Sequence, residues 1–429
     1  MHFHTLSPPQ QIVTTMKWIY EGGMTTSTGG NISLKEPGGD IWVTPSGMDK
    51  GIVGADDIVH LDPDAKVISE GNPSSELPSH YCIYRERPDI GAVIHAHPPG
   101  LITFSIAGEI PDTNIISRMR EVCGNVGFAP YRIPGSEALG RSIAGQFARG
   151  HQAVVMENHG VAVGGKDLDE AYRRFELLEA CCQTIIHANR IGNWRGLSIE
   201  EIEKRRLQTR SMPSGDHTPD HSEQLDLRSA VTEIAKRVCR QRLMTSSGGC
   251  LSVRTGVESC WITPENINKR LLEPEELVLL RQGQSEKGKV PDRLATLHQQ
   301  IYLQHPGVRT VITARPPCLS ALGITGRTLD TRTIPESYVF LRDIPLVSCS
   351  RELNDPEEAG RLSGMISYET PMLLIRNELL LVTGRTLQEA FDRLEIAEFG
   401  ARSAIDALVM GGANPLHETQ LRGLEKFIS

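Results

Sequence analysis

A chain of 429 residues is too long for one small domain, so two or three domains are expected. A formal charge of −8 at pH 7 and an aromatic content of 5% argue against a nucleic-acid partner, which needs basic patches or stacking platforms. No run approaches about 18 apolar residues, so no membrane partner is expected either. The opening "MHFHTLSPPQQ" lacks the charged-then-apolar pattern of a signal peptide, and nine scattered cysteines form no CxxC pair. Reduced thiols and a cytoplasmic setting are the expectation.

Ile12, Met16, Ile19 and Tyr20 recur at helical spacing and predict an amphipathic first helix. A Gly-rich turn then leads to a strand, "NISLK", and a second, "DIWVTPSG". A helix over 77–87 precedes the strand "AVIHAH" in "AVIHAHPPG", residues 92–100. Alternate strand residues share a face, so His95 and His97 project together, and the double proline ends the ladder. A later strand, "AVVMENHG", is followed by "VAVGG". A long helix, "DLDEAYRRFELLEACCQTIIHAN", comes next, with Asp167 placed to cap it. The segment 197–224 begins as a capped helix, Ser198 with Glu201 three residues on. It then turns Pro/Gly/Ser/His-rich and is expected to be a linker.

Beyond it the chain repeats itself. "GMTTSTGGNISLK" (23–35) resembles "RLMTSSGGCLSVR" (242–254), and "DIWVTPSGMDK" (40–50) resembles "SCWITPENINK" (259–269). "RPDIGAVIHAHPPG" (87–100) resembles "HPGVRTVITARPPC" (305–318), and "NHGVAVGGKDLDEA" (158–171) resembles "NELLLVTGRTLQEA" (377–390). All four pairs hold an offset of 218 or 219 residues. The expected organisation is one domain at 8–196, a linker at 197–224 and a second copy at 225–425. The order of elements predicts a central sheet flanked by helices in each copy.

His95, His97 and a third histidine, His159, together with the carboxylate of Glu76, make a divalent metal site of the kind zinc favours. A lone strand histidine is ordinarily structural, and the repeat offers an internal control. The corresponding residues of copy two are Thr313, Arg315, Glu378 and Leu294, while the flanking Val93–Ile94 survives as Val311–Ile312. Scaffold kept and polar set lost together point to function in copy one only. A second set, "TGGN" (28–31), "TPSG" (44–47) and "PSSE" (73–76), offers turn amides, hydroxyls and an amide to a phosphate; ordinary turns have the same composition. Copy two replaces Asn31 by Cys250, Ser46–Gly47 by Glu265–Asn266, and Ser74–Ser75 by Asp292–Arg293.

In order and spacing, "GGN-I-S", "TPSG", "PSSE", "HAH" and "NHG" resemble the class II aldolase/adducin family, and its L-fuculose-1-phosphate aldolase branch in particular. The resemblance spans nearly all of copy one; copy two matches by scaffold alone. It implies two α/β domains, each a central, largely antiparallel sheet flanked by helices, in a homo-oligomer. It also implies one Zn²⁺ per chain on His95, His97 and His159, with Glu76 as the acid/base residue. Gly30, Asn31, Ser46, Gly47, Ser74 and Ser75 would form a substrate-phosphate pocket. The implied activity is metal-dependent cleavage or formation of a C–C bond in a small phosphorylated ketose through an enediolate. The alternatives are a sugar-phosphate epimerase, a keto-acid decarboxylase, or a non-catalytic assembly protein of adducin type. One departure stands out. The family's aldolase branch uses a tyrosine near the position of "NIISRMREVCGNVG" (114–127), which has none, whereas copy two carries Tyr338 in "TIPESYVFLRD". Tyr338 is therefore either a packing residue or a group lent to a copy-one site.

Overall fold

The structure is a computed structural model that describes residues 3–206, 212–219, 222 and 224–428. By contact density it divides into two units. The first comprises residues 1–113 and 119–182; the second comprises 114–118 and 183–429.

The first unit holds a seven-stranded sheet. Its strands are β1 (Asn31–Lys35), β2 (Ile41–Val43), β3 (Val59–Leu61), β4 (Ala92–Ala96), β5 (Gly127–Ala129), β6 (Ala153–Met156) and β7 (Gly160–Gly165). Their spatial order is β3-β2-β1-β4-β7-β6-β5, antiparallel except for the β5–β6 pair. β4 and β7 are central and buried along their whole length, which is why they read as continuous apolar runs. The first helix, Pro8–Glu21, buries Ile12, Met16 and Ile19, as its spacing predicts. The predicted second helix is found at Leu77–Glu86, and the long one at Leu168–Ile191 with the Asp167 carboxylate accepting from Glu170 N at 2.7 Å. The short strands β3 and β5 are additions to the sequence reading: three residues each are too few to show a period.

The second unit repeats this plan with eight strands: β8 (Cys250–Gly256), β9 (Ser259–Ile262), β10 (Val278–Arg281), β11 (Gln284–Ser285), β12 (Thr310–Ala314), β13 (Leu346–Val347), β14 (Met372–Ile375) and β15 (Leu379–Gly384). Their order is β11-β10-β9-β8-β12-β15-β14-β13, again with one parallel pair at the end. The registers agree residue for residue. Asn31 faces His95 across β1–β4, and Cys250 faces Thr313 across β8–β12. His95 faces Ala162, and Thr313 faces Leu381. A one-residue slip would have turned every side chain to the other face, so this agreement validates the correspondence between copies.

The segment 197–224 starts as predicted, with a helix at Ile199–Arg205 and a Ser198–Glu201 capping box. Further on, it does more than connect. Ser214 bridges Ser285 on the edge strand β11, Gly215 N donates to Ser285 O, and Met212 packs against the second core. An edge strand exposes unpaired N–H and C=O groups, and this stretch covers some of them. Residues 207–211, 220, 221 and 223 of that segment lie outside the described residues. All nine cysteines are free thiols, and among the described residues no helix is long and apolar enough to cross a membrane.

Candidate metal centre

Three elements of the first unit bring the histidines together. His95 lies in the middle of the sheet on β4, 2% exposed, and His97 lies one residue beyond the strand, on the same face. His159 sits in the β6–β7 turn. That turn is tied down by Ser105 of the helix Pro99–Ala107, whose Oγ donates to Met156 O (2.6 Å) and accepts from His159 N (2.9 Å). The turn also needs Asn158 in the left-handed region (φ 51°), and Gly160, where a Cβ would come within 2.7 Å of Ala96 O. Glu76 precedes the helix Leu77–Glu86, and its carboxylate reaches back to the histidines.

The donor atoms converge. Glu76 Oε2 lies 3.2 Å from His95 Nε2, Glu76 Oε1 lies 3.3 Å from His159 Nε2, and the Nε2 atoms of His95 and His97 are 3.1 Å apart. One ligand nitrogen from each of the three imidazoles falls within 4.8 Å of the others. His95 Nδ1 donates to Val161 O at 3.0 Å, which orients the ring so that Nε2 faces the cluster. Burial alone would raise the Glu76 carboxyl, but the charge of His95 and the hydrogen bonds from His159 and His95 hold it well below its ordinary value. Burial, and then the neighbouring imidazoles, push His97 down to about 3, which keeps it neutral and able to ligate. Once the imidazoles give up their protons, three ring nitrogens and one carboxylate at these separations form a donor set for a divalent cation.

A second grouping of donors, Glu36, Asp40 and His60, is already internally satisfied. His60 Nε2 bonds Asp40 at 2.8 Å, its ring stacks on Trp42 at 3.9 Å, and Trp42 Nε1 donates to Glu36 at 2.7 Å. Among the described residues, these two groupings are the ones with metal-ligand spacing, and both lie in the first unit.

The small polar set borders the same place. Asn31 is buried, pairs with His95 across the sheet, and leaves its Oδ1 without a hydrogen-bond partner. Gly30 takes φ 76°, and a Cβ there would press within 2.8 Å of His95 O. Ser46 N donates to Asn72 O and Ser74 N to Thr44 O, which sets the "TPSG" turn beside "PSSE". Ser46, Gly47 and Ser75 are exposed, and Ser74 is buried.

The second unit shows what becomes of the same positions without those residues. The Glu378 carboxylate, at the position of His159, is 4% exposed, accepts from Ser117 Oγ (2.8 Å) and lies 3.6 Å from Arg205. Burial raises its pKa, while Arg315, at the position of His97, lowers it. Tyr338 donates its hydroxyl to Glu425 at 2.7 Å. Residues that sequence reasoning passed over are common to both copies. Ser33 Oγ contacts His80 Nδ1 and Tyr84 Oη, both at 2.6 Å, and Ser252 meets His298 and Tyr302 at 2.7 Å. Glu179 caps the amides of Gly100 and Leu101, and Glu398 those of Cys318 and Leu319. The repeat itself carried the signal: both sets sit at the common offset.

The family model described as "Class II Aldolase and Adducin N-terminal domain" matches twice, over residues 10–186 and 229–405. The chain is 34% identical to the 5-deoxy-D-ribulose 1-phosphate aldolase of Bacillus thuringiensis serovar kurstaki over 199 residues, which is 45% of this chain and 91% of the relative. It is 34% identical to the L-fuculose phosphate aldolase of Methanocaldococcus jannaschii over 171 residues, 40% of this chain and 91% of the relative. It is 30% identical to the 3-oxo-tetronate 4-phosphate decarboxylase of Escherichia coli K12, covering 39% and 80%. Among solved structures, an L-fuculose 1-phosphate aldolase matches with a TM-score of 0.43 at 31% identity, over 47% of this chain and 95% of that one.

Proposed function

The chain belongs to the class II aldolase and adducin family, matched over both its halves, and from that premise we propose that its first copy is a zinc-dependent lyase for a small phosphorylated ketose. The observation that carries this reading is the convergence of His95, His97, His159 and Glu76 in one copy, with none of the four kept in the other. Both aldolase relatives are named for phosphorylated sugars.

In this reading the three imidazoles hold the cation. When bound, a divalent cation supplies Lewis-acid stabilisation of the charge that develops as a C–C bond beta to a ketone breaks. Glu76 moves the proton: its carboxylate is ionised, touches the cluster, and lies at the head of a helix from which it can turn toward a substrate hydroxyl. Asn31, Ser46, Gly47, Ser74 and Ser75, with Gly30 shaping the turn, orient the substrate by its phosphate. The second copy is a scaffold domain without ligands for a cation.

The decarboxylase relative favours a second reading, loss of carbon dioxide from a phosphorylated keto acid on the same centre. A screen of phosphorylated ketoses and phosphorylated 3-keto acids against the zinc-loaded protein decides, with His95→Ala as the blank. Aldehyde release from a ketose supports the lyase, and carbon dioxide release supports the decarboxylase. Absence of bound metal points to an assembly role.

A further inference from the structure

The β6–β7 turn of the first copy and the β14–β15 turn of the second are built alike and used differently. His159 N donates to Met156 O, and Glu378 N donates to Ile375 O. The residue before each is a left-handed asparagine, Asn158 at φ 51° and Asn377 at φ 57°. In the first copy the turn delivers His159 to Glu76. In the second it receives other parts of the same chain.

Two stretches converge on Asn377 and Glu378. Residues 114–118 are the first: they interrupt the sequence of the first unit, yet pack with the second. Ser117 Oγ donates to Glu378 Oε2 at 2.8 Å, and Asn377 Nδ2 donates to Ile115 O at 2.8 Å. Residues 195–205 are the second. Asn377 Nδ2 also donates to Arg195 O at 3.2 Å, and Leu197 N donates to Asn114 O at 2.8 Å. Arg205 Nη1 donates to Arg376 O at 3.2 Å and lies 3.6 Å from Glu378 Oε1. The contact is dry: Ile115, Ser117, Leu197, Ile202, Asn377 and Glu378 are each at most 9% exposed. A buried carboxylate is costly without partners, and Ser117 and Arg205 both come from these stretches. The helix Ile199–Arg205 has seven residues, well short of the about 12–15 at which a helix holds by itself. Its start is capped by Ser198 and Glu201, and its end rests on Arg205.

We propose that the copy-two turn is an internal docking site whose ligand is the basic segment 195–205 of the same chain. Glu378 receives the Arg205 guanidinium, Asn377 reads the backbone at Ile115 and Arg195, and Ser117 holds the carboxylate in place. The exchange of His159 for Glu378 is then a gained binding function as well as a lost metal ligand. Docking needs neither a metal nor a substrate in copy one. With Gly215 N bonded to Ser285 O, the segment expected to be a linker is held at two places by the copy that follows it.

Hydrogen–deuterium exchange on the full chain, followed peptide by peptide, tests this. Glu378→His imports the copy-one residue, and Arg205→Gln removes the guanidinium. Each is expected to speed exchange of the amides of 199–205 about 10- to 100-fold, the loss of one charge-assisted contact, while β12 and β15 keep parental protection. Arg205→Lys, which keeps the charge without the planar fork, falls between parent and Arg205→Gln. Where Glu378→His loosens the whole second unit, Arg205→Gln decides: release confined to 195–205 upholds docking. Parental exchange of 199–205 in either variant overturns the proposal. So does loosening under Arg205→Gln that is as large in β12 and β15 as in the helix, and so does a parent in which 199–205 shows no protection.

Discussion

Set side by side, the two copies separate what a fold requires from what a site requires. The Ser33–His80–Tyr84 cluster and its twin Ser252–His298–Tyr302 are the same three residues in the same buried contacts. The Glu179 and Glu398 caps are likewise interchangeable. These are structural: both copies need them, whatever either copy does. The histidine cluster behaves in the opposite way. His95 becomes Thr313, which stays buried in the same strand register, so the sheet never needed an imidazole there. A buried polar group that one copy replaces with its strand register unchanged is the pattern expected of a residue kept for the proposed chemistry.

This contrast can be broken at several points. The largest effect is expected at the ligands: His97→Ala removes the bound metal and abolishes turnover, while Arg315→Ala at the equivalent position of copy two leaves both unchanged, as read by elemental analysis and steady-state rates. Next, Glu76→Gln keeps the metal and lowers kcat about 10²- to 10⁴-fold, the range for a lost acid/base group, whereas Leu294→Gln leaves kcat untouched. Ser105→Ala frees the His159 turn and is expected to weaken metal affinity about 10- to 100-fold without removing a ligand, measured by competition with a chelator. Ser33→Ala and Ser252→Ala sharpen the structural side. Each leaves a buried hydroxyl and imidazole short of a partner and lowers unfolding stability by about 1–3 kcal/mol in denaturant titrations, by similar amounts in the two copies.

The smallest effect concerns pH. Burial pushes both His80 and His298 down to about 3 in the fold, against an ordinary value of 6.5. Between those values the unfolded chain takes up protons that the native chain refuses, so stability is lost as pH falls from 6.5 toward 3. Melting temperatures are expected to fall through that window, and less steeply in His298→Gln than in the parent.

Much of this is legible in the sequence. Strong periodicity placed the first helix, the strand of His95 and the long helix after Asp167, because each buries a continuous face. The repeat was legible because a shared offset survives where identity does not. The histidine cluster was legible because His95 and His97 share a strand face, and because all three histidines and Glu76 are replaced together in the second copy, which keeps the scaffold. The short strands β3 and β5 were not legible, since three residues cannot show alternation. Nor was the role of Ser105, which is 54 residues from the turn it holds and carries no local signature. The pairing of residues 213–215 with β11 was hidden by composition: a polar segment reads as a linker even when its backbone serves a sheet edge.

The most direct test of the central claim is the metal content of the full chain, purified and dialysed against buffer with a trace of zinc. One ion per chain is expected, falling to none in His95→Ala and holding at one in Thr313→Ala. Two ions per chain, or one that survives the loss of His95, would contradict the assignment of the centre to the first copy alone.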